Sequence, residues 1–76
     1  GDVTIEEYQK MASDLLSKQT SDKILGYQIE DRRVRYDVEN NVYVLGNPLT
    51  FKIRTMFKPE LGREYYDGET TKDLGN

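Results

Sequence analysis

"RRVRYDVENNVYVL", residues 32–45, is the stretch that decides the fold. Its first part, 32–38, alternates apolar and charged side chains, which is the period of a β-strand with one covered face. "ENN" at 39–41 is turn chemistry because Asn tolerates left-handed φ angles, and "VYVL" at 42–45 reads as a second strand. The stretch therefore predicts an antiparallel hairpin. Its first strand has an apolar set, Val34, Tyr36 and Val38, and a charged set, Arg33, Arg35 and Asp37.

The segments on either side of this hairpin have the same strand character. "KILGYQIE" (23–30) is rich in β-forming residues, with Gly26 as a bulge position. "GNPL" (46–49) contains turn residues, and "TFKIRTMF" (50–57) reads as a further strand. Four short strands joined by short turns predict an antiparallel meander over about 23–58.

The first residues predict a helix over about 4–18. "TIEE" at 4–7 is a capping box, with Thr4 at the N-cap and Glu7 reaching back, and apolar residues then recur at helical spacing. The fold class is therefore α+β, with an N-terminal helix packed on one face of a four-stranded antiparallel sheet. In the tail, 59–76, Tyr65 and Tyr66 are expected to dock on the sheet, and the chain is expected to fray from Gly68 onward.

Composition limits the chemistry that the chain can perform. Its 76 residues form one small domain, 1–76, and its first residues read as those of a domain excised from a longer protein. It has no Cys and no His, so a disulfide framework, a thiolate zinc site and a histidine base are excluded, and we expect neither a metal nor a cofactor. With no apolar run of about eighteen residues, no membrane span is expected.

Charge is unevenly distributed along the chain. The formal net charge is −3, but residues 32–63 carry seven bases against three acids, and the segments on both sides are acidic. Local charge is the better guide to a binding site, because net charge mainly affects solubility.

If the helix covers the face of Val34 and Tyr36, the other face is open and cationic. Side chains two apart share a face, and Asp37 would join this open face and pair with Arg35 or Arg54. Thr55 falls on the apolar side by parity. Such a face binds an anion, or it is an ordinary solvated surface. Its expected cations are Arg33, Arg35, Lys52, Arg54 and Lys58.

Residues 35–66, "RYDVENNVYVLGNPLTFKIRTMFKPELGREYY", carry a resemblance to a known family. A basic residue before "YD", a turn with Asn, a strand, "IRTMFKP" and a following "YY" resemble the barnase–EndoU–colicin–RelE ribonuclease superfamily. C-terminal toxin domains of contact-dependent growth inhibition proteins and of other polymorphic toxins belong to that superfamily. The resemblance implies a helix followed by a four-stranded antiparallel sheet that cleaves RNA, often tRNA.

The resemblance also implies site residues, by position. The matching positions are Arg35, Tyr36, Asp37, Arg54, Thr55, Lys58 and Pro59. In a metal-independent endoribonuclease, the catalytic set would be Arg35, Arg54, Thr55, Lys58 and Asp37. Arg35 and Arg54 would hold the phosphate, Lys58 would act as acid or electrostatic stabiliser, Thr55 would orient the substrate, and Asp37 or a tyrosine would be the base. The expected substrate-binding set is Arg33, Lys52, Tyr36, Tyr43 and Tyr66.

The expected biology is that of a bacterial toxin. The domain would be secreted into the cytoplasm of a target cell, would be a monomer when free, and would be neutralised in its producer by an acidic immunity protein. A non-catalytic protein-binding module, using the cationic face or an edge strand, is the alternative from a different class. A third reading is an immunity protein or antitoxin.

Overall fold

The computed structural model describes residues 4–75 and has two helices and four strands. The strands form one antiparallel sheet in the order β1-β2-β3-β4, so the predicted α+β class and meander are confirmed. In chain order the elements are α1 (Ile5–Ser17), β1 (Ile24–Ile29), β2 (Arg32–Asp37), β3 (Val42–Gly46), β4 (Ile53–Phe57) and α2 (Arg63–Leu74).

Helix α1 forms where its capping residue and apolar spacing predict it. The Thr4 hydroxyl accepts a hydrogen bond from the Glu7 backbone N–H at 3.1 Å, which satisfies one of the first-turn donors. The helix packs on one side of the sheet, which we call the α1 face. Its buried cluster is aliphatic and consists of Ala12, Leu15, Leu16, Val42 and Val44.

The opposite side of the sheet, which we call the α2 face, is aromatic and lies against α2. Its buried cluster consists of Val34, Tyr36, Tyr43 and Tyr66, with Tyr27, Phe57 and Tyr65 packed around it. Both faces are therefore covered by a helix. Neither of the two helices is long and apolar enough to cross a membrane, within residues 4–75.

The predicted assignment of faces is wrong. Helix α1 does not cover Val34 and Tyr36; it covers the side that carries Arg33, Arg35 and Asp37. The alternation of apolar and charged residues along β2, taken alone, favours the Val34 side as the core. On the other side, however, Val42 and Val44 of β3 provide an apolar surface for α1. The arginines also donate to the end of α1, as described below.

Strand β4 is shorter than predicted and contains the irregularity of the sheet. It begins at Ile53, because a loop with Phe51 at φ 61° precedes it. Leu45 pairs with Thr55 but Gly46 pairs with Ile53, so Arg54 is an extra residue and Ile53 joins the α1 face. The bulge predicted at Gly26 is wrong, because the β1–β2 register is continuous there.

The predicted fraying from Gly68 onward is also wrong, because α2 continues to Leu74. The reason is that α2 docks on the sheet. Tyr66 is buried in the aromatic cluster and Tyr65 packs beside it, as predicted for the two tyrosines. These contacts hold a segment of poor helical composition in a helix.

Candidate nucleic-acid interface

Four of the predicted site residues lie together on β4 or at its ends. Lys52, Arg54, Thr55 and Lys58 are exposed, and β4 is an edge strand. Within residues 4–75, no hydrogen bond or ion pair involves the side chain of Lys52, Arg54 or Lys58. We call these four residues the β4 cationic edge. It presents three uncompensated cations and a hydroxyl to solvent.

Arg33 lies elsewhere, against the end of α1. Its Nε donates to the Leu16 carbonyl oxygen at 2.6 Å, and its Nη1 donates to Oε1 of Gln28 at 2.9 Å. The guanidinium carbon is 4.7 Å from the centre of the Phe51 ring, within cation–π range. Arg33 therefore joins α1, β1 and the loop before β4.

Arg35 is buried, with 7% of its surface exposed. Its Nε donates to the Lys18 carbonyl at 2.7 Å, and its Nη1 donates to the Val34 carbonyl at 2.8 Å. Burial lowers the pKa of Arg35, and the neighbouring Arg33 charge lowers it further. The side chain crosses the sheet over Gly26, where a Cβ would lie only 2.6 Å from Nη1.

The two arginines complete the C-terminal end of α1. The last turn of α1 has no basic residue of its own, and its last carbonyls need donors. Arg33 and Arg35 supply donors and positive charge where the helix dipole is negative. The expectation that they lie on an open face beside Arg54 is wrong, because α1 covers them. Their roles toward a substrate stay predictions.

Asp37 also has a local partner. Its carboxylate accepts from the Asn40 backbone N–H at 3.1 Å and from Asn40 Nδ2 at 2.8 Å, and not from Arg35 or Arg54 as expected. Partial burial raises the pKa of Asp37, but the hydrogen bonds from Asn40 and Glu39 outweigh burial and lower it. A carboxylate stabilised in its charged form is a weaker base.

Asp37 also borders a surface pocket of about 210 Å³ between α1 and the β2–β3 turn. No residue of the β4 cationic edge lines this pocket. The lining residues are Met11, Asp14, Leu15, Lys18, Asp37, Asn40 and Val42.

The predicted tyrosines lie on the α2 face. Tyr36 and Tyr43 are buried side by side on β2 and β3, and Tyr66 covers Tyr36 from α2. The Tyr36 hydroxyl donates to Oδ1 of Asn41 at 2.6 Å. Burial raises the pKa of Tyr43 to about 12 and also raises that of Tyr36. Neither phenol is therefore suited to accept a proton at neutral pH.

Sequence reasoning missed a polar contact that ties α2 to β1 and β2. Asp73 accepts hydrogen bonds from the Tyr27 hydroxyl and, at 3.1 and 3.2 Å, from Nη1 of Arg32. We call this contact the Asp73 latch. Alternation within β1 and β4 indicates the face of Tyr27 and Phe57, as alternation within β2 and β3 does for Tyr36 and Tyr43. No pattern in the tail, residues 59–76, singles out Asp73.

Within the described residues, 4–75, no group of three or more acidic side chains is placed to hold a metal ion. Comparison of the chain with protein-family models, with curated proteins and with solved structures returned no match.

Proposed function

We propose that this chain is a ribonuclease toxin domain that holds the phosphate backbone of RNA, with tRNA as the expected substrate, on the β4 cationic edge. One observation carries the proposal. Lys52, Arg54 and Lys58 lie within seven residues on an exposed edge strand, and none has an anionic partner within residues 4–75. Uncompensated, adjacent cations favour a ligand with regularly spaced negative charge, which is the chemistry of a nucleic-acid backbone.

In this proposal the cleavage needs no metal ion. The 2′-hydroxyl oxygen of a ribose attacks the adjacent phosphorus and loses its proton to solvent water. The bond from phosphorus to the 5′ oxygen breaks and that oxygen gains a proton, which leaves a 2′,3′-cyclic phosphate and a 5′-hydroxyl. Arg54 binds the phosphate oxygens bidentately and stabilises their developing charge. Lys58 donates a proton to, or stabilises, the leaving oxygen, and Thr55 donates a hydrogen bond that orients the phosphate. Arg35 is left out of this set, because it is buried and its Nε and Nη1 donate within the fold.

The positive charge of the β4 cationic edge also determines which protein partner we propose. An acidic immunity protein that covers Arg54, Lys52 and Lys58 would neutralise the domain in its producing cell, and secretion would deliver it to the cytoplasm of a target bacterium.

The test compares Arg54→Ala with the wild-type chain on total bacterial RNA. Arg54 makes no hydrogen bond or ion pair within residues 4–75, so the variant should keep its stability within about 0.5 kcal/mol. Loss of a phosphate clamp should reduce the cleavage rate by about 10²- to 10³-fold. Denaturing gels measure the rate, and analysis of the product ends detects the cyclic phosphate.

Arg63→Ala is the matched control. Arg63 is also an exposed arginine, with 61% of its side chain accessible, but it lies on α2 and contacts Asp67. The Arg63→Ala variant should cleave RNA at the wild-type rate. Equal cleavage rates for the wild type and Arg54→Ala would reject the β4 cationic edge as the phosphate site. RNA left intact by the wild-type chain would reject the nuclease.

A second function is favoured by the absence of a base. No hydrogen bond or ion pair within residues 4–75 brings a carboxylate to Arg54, and the Asp37 carboxylate accepts hydrogen bonds from Asn40 instead. A protein-binding module would use the β4 cationic edge to dock an acidic partner without cleaving anything. Intact RNA together with salt-dependent binding of an acidic protein, weakened by Arg54→Ala, would select this alternative.

A further inference from the structure

The α2 face carries one aromatic ring on every strand. Tyr27 lies on β1, Tyr36 on β2, Tyr43 on β3 and Phe57 on β4. Tyr36 is paired directly with Tyr43, and Tyr43 directly with Phe57, so three of the rings form a row across the sheet. We call these four rings the aromatic platform. Proteins that bind single-stranded RNA use such rings on a sheet to stack unpaired bases.

Helix α2 places its own rings on this platform. The Tyr66 ring lies over Tyr36 at 5.8 Å between centroids and 19° between planes, which is a stacked arrangement. Tyr65 meets Tyr43 and Phe57 edge-on, at 5.1 Å from each. Stacking of one flat ring on another is the contact that a nucleobase would make at the same place.

The attachment of α2 is thin in comparison with that of α1. Its N-cap is Gly62 at φ 60° with no side-chain cap, and Gly68 lies in its middle, where Gly is less favourable for a helix than Ala. Tyr66 is its one buried residue within the described chain. At its far end the helix is held by the Asp73 latch.

Polar groups on β4 lie beside the platform. Thr55 shares the face of Phe57, two residues along the strand, and is exposed, and Arg54 precedes it on the edge. A backbone held on the β4 cationic edge would therefore have its bases next to the platform. This juxtaposition joins a phosphate-binding edge to a surface of stacking rings.

We propose that α2 is a displaceable cover, whose Tyr65 and Tyr66 occupy the aromatic platform until unpaired bases of a bound RNA replace them. The proposal rests on the proposed RNA-binding function and adds a regulatory step to it. Every base has a flat face that can stack on an aromatic side chain, so two unpaired bases can replace the contacts of the two tyrosines. RNA binds the open form and shifts the equilibrium toward it, because the covered form offers no platform.

The experiment releases the latch in the full chain. Asp73→Asn keeps the shape of the side chain and removes its charge, which weakens the bonds from Arg32 and Tyr27. Amide hydrogen exchange should speed up in α2 and stay unchanged in the sheet. Affinity for a short 2′-O-methyl oligoadenylate, which cannot be cleaved by 2′-OH attack, should rise by about three- to tenfold. Asp67→Asn is the control, because Asp67 lies on the same helix and is 60% exposed.

An abasic oligonucleotide of the same length, with phosphates but no bases, separates the two proposals. The wild-type chain should bind the oligoadenylate more tightly than the abasic strand, and Tyr43→Leu should remove that preference without changing abasic binding. Equal affinity for the two strands, or no gain from Asp73→Asn, overturns the cover while RNA binding stands. Binding of neither strand overturns both. If Asp73→Asn does not fold, Arg32→Gln breaks the same latch from the sheet side.

Discussion

The two faces of one sheet are closed in different ways. On the α1 face, aliphatic side chains interlock and two arginines of β2 donate to the end of the helix. On the α2 face, aromatic rings stack and one carboxylate latches the helix. Alternate residues of β2 lie on opposite sides of the sheet. The arginines of this strand cap α1 firmly, and its apolar residues contact α2, which is thinly attached. The comparison indicates that α1 holds the fold and that α2 is the part that can move.

The largest expected effect is the loss of packing between α2 and the sheet at alkaline pH. Burial raises the pKa of Tyr27, Tyr43 and Tyr65 above the ordinary value of 10.0. A raised folded-state pKa adds stability that is complete below about pH 10 and is lost as pH rises toward the folded value. We therefore expect α2 to melt from the sheet as pH rises above about 10.

Tyrosinate absorbance and circular dichroism, followed together, measure this transition. Tyr43→Phe cannot form a phenolate on the platform and should move the midpoint to higher pH. Tyr8→Phe is its control, because the Tyr8 ring is exposed on α1. A midpoint that moves equally in both variants would contradict a special role for the buried phenols.

The next effect concerns the aliphatic face. Leu16 is 0% exposed, and Leu16→Ala should lower the free energy of unfolding by about 2–5 kcal/mol in urea denaturation. The loss should be global, with faster amide exchange in the sheet and in both helices. Met11→Ala, on the same helix but half exposed, should cost far less. Faster exchange confined to α1 would show that α1 does not hold the fold.

The smallest effect tests the capping arginine. Arg35→Met keeps most of the buried stem and removes the bond to the Lys18 carbonyl, which should cost about 1–3 kcal/mol in unfolding free energy. Arg54→Met removes an arginine of the same chain that has no such bond and should change stability by less than about 0.5 kcal/mol. If the two variants lose equal stability, Arg35 does not cap α1.

The elements were predictable because local patterns specify them. Thr4 and the helical spacing after it predicted α1, and alternation from residue 32 predicted the hairpin. The face that α1 covers was not predictable from alternation, because parity in β2 does not reveal that arginines cap a distant helix. Helix α2 was missed for a similar reason. Its Gly68 and paired Thr residues disfavour a helix, and contacts made by Tyr66 with Tyr36 override that preference.

The candidate site was predictable in part. Lys52, Arg54, Thr55 and Lys58 lie together because they are close along one strand, which the pattern of residues 52–58 shows directly. To predict whether Arg35 and Asp37 join these residues, one must know which face of the sheet α1 covers and which groups the two side chains contact. The face depends on where α1 docks, which no local signal encodes, and the partner of Asp37 is Asn40, three residues along the chain.

The passage of Arg35 over Gly26 leaves no room for a side chain at position 26. A Cβ there would overlap the Val34 carbonyl oxygen and would lie 2.6 Å from Nη1 and 2.7 Å from Cδ of Arg35. A shorter residue at position 35 would remove the last two contacts, but the contact with the Val34 backbone would remain. Any divergent copy of this chain that keeps the β1–β2 pairing should therefore retain Gly at position 26, whatever residue it carries at position 35.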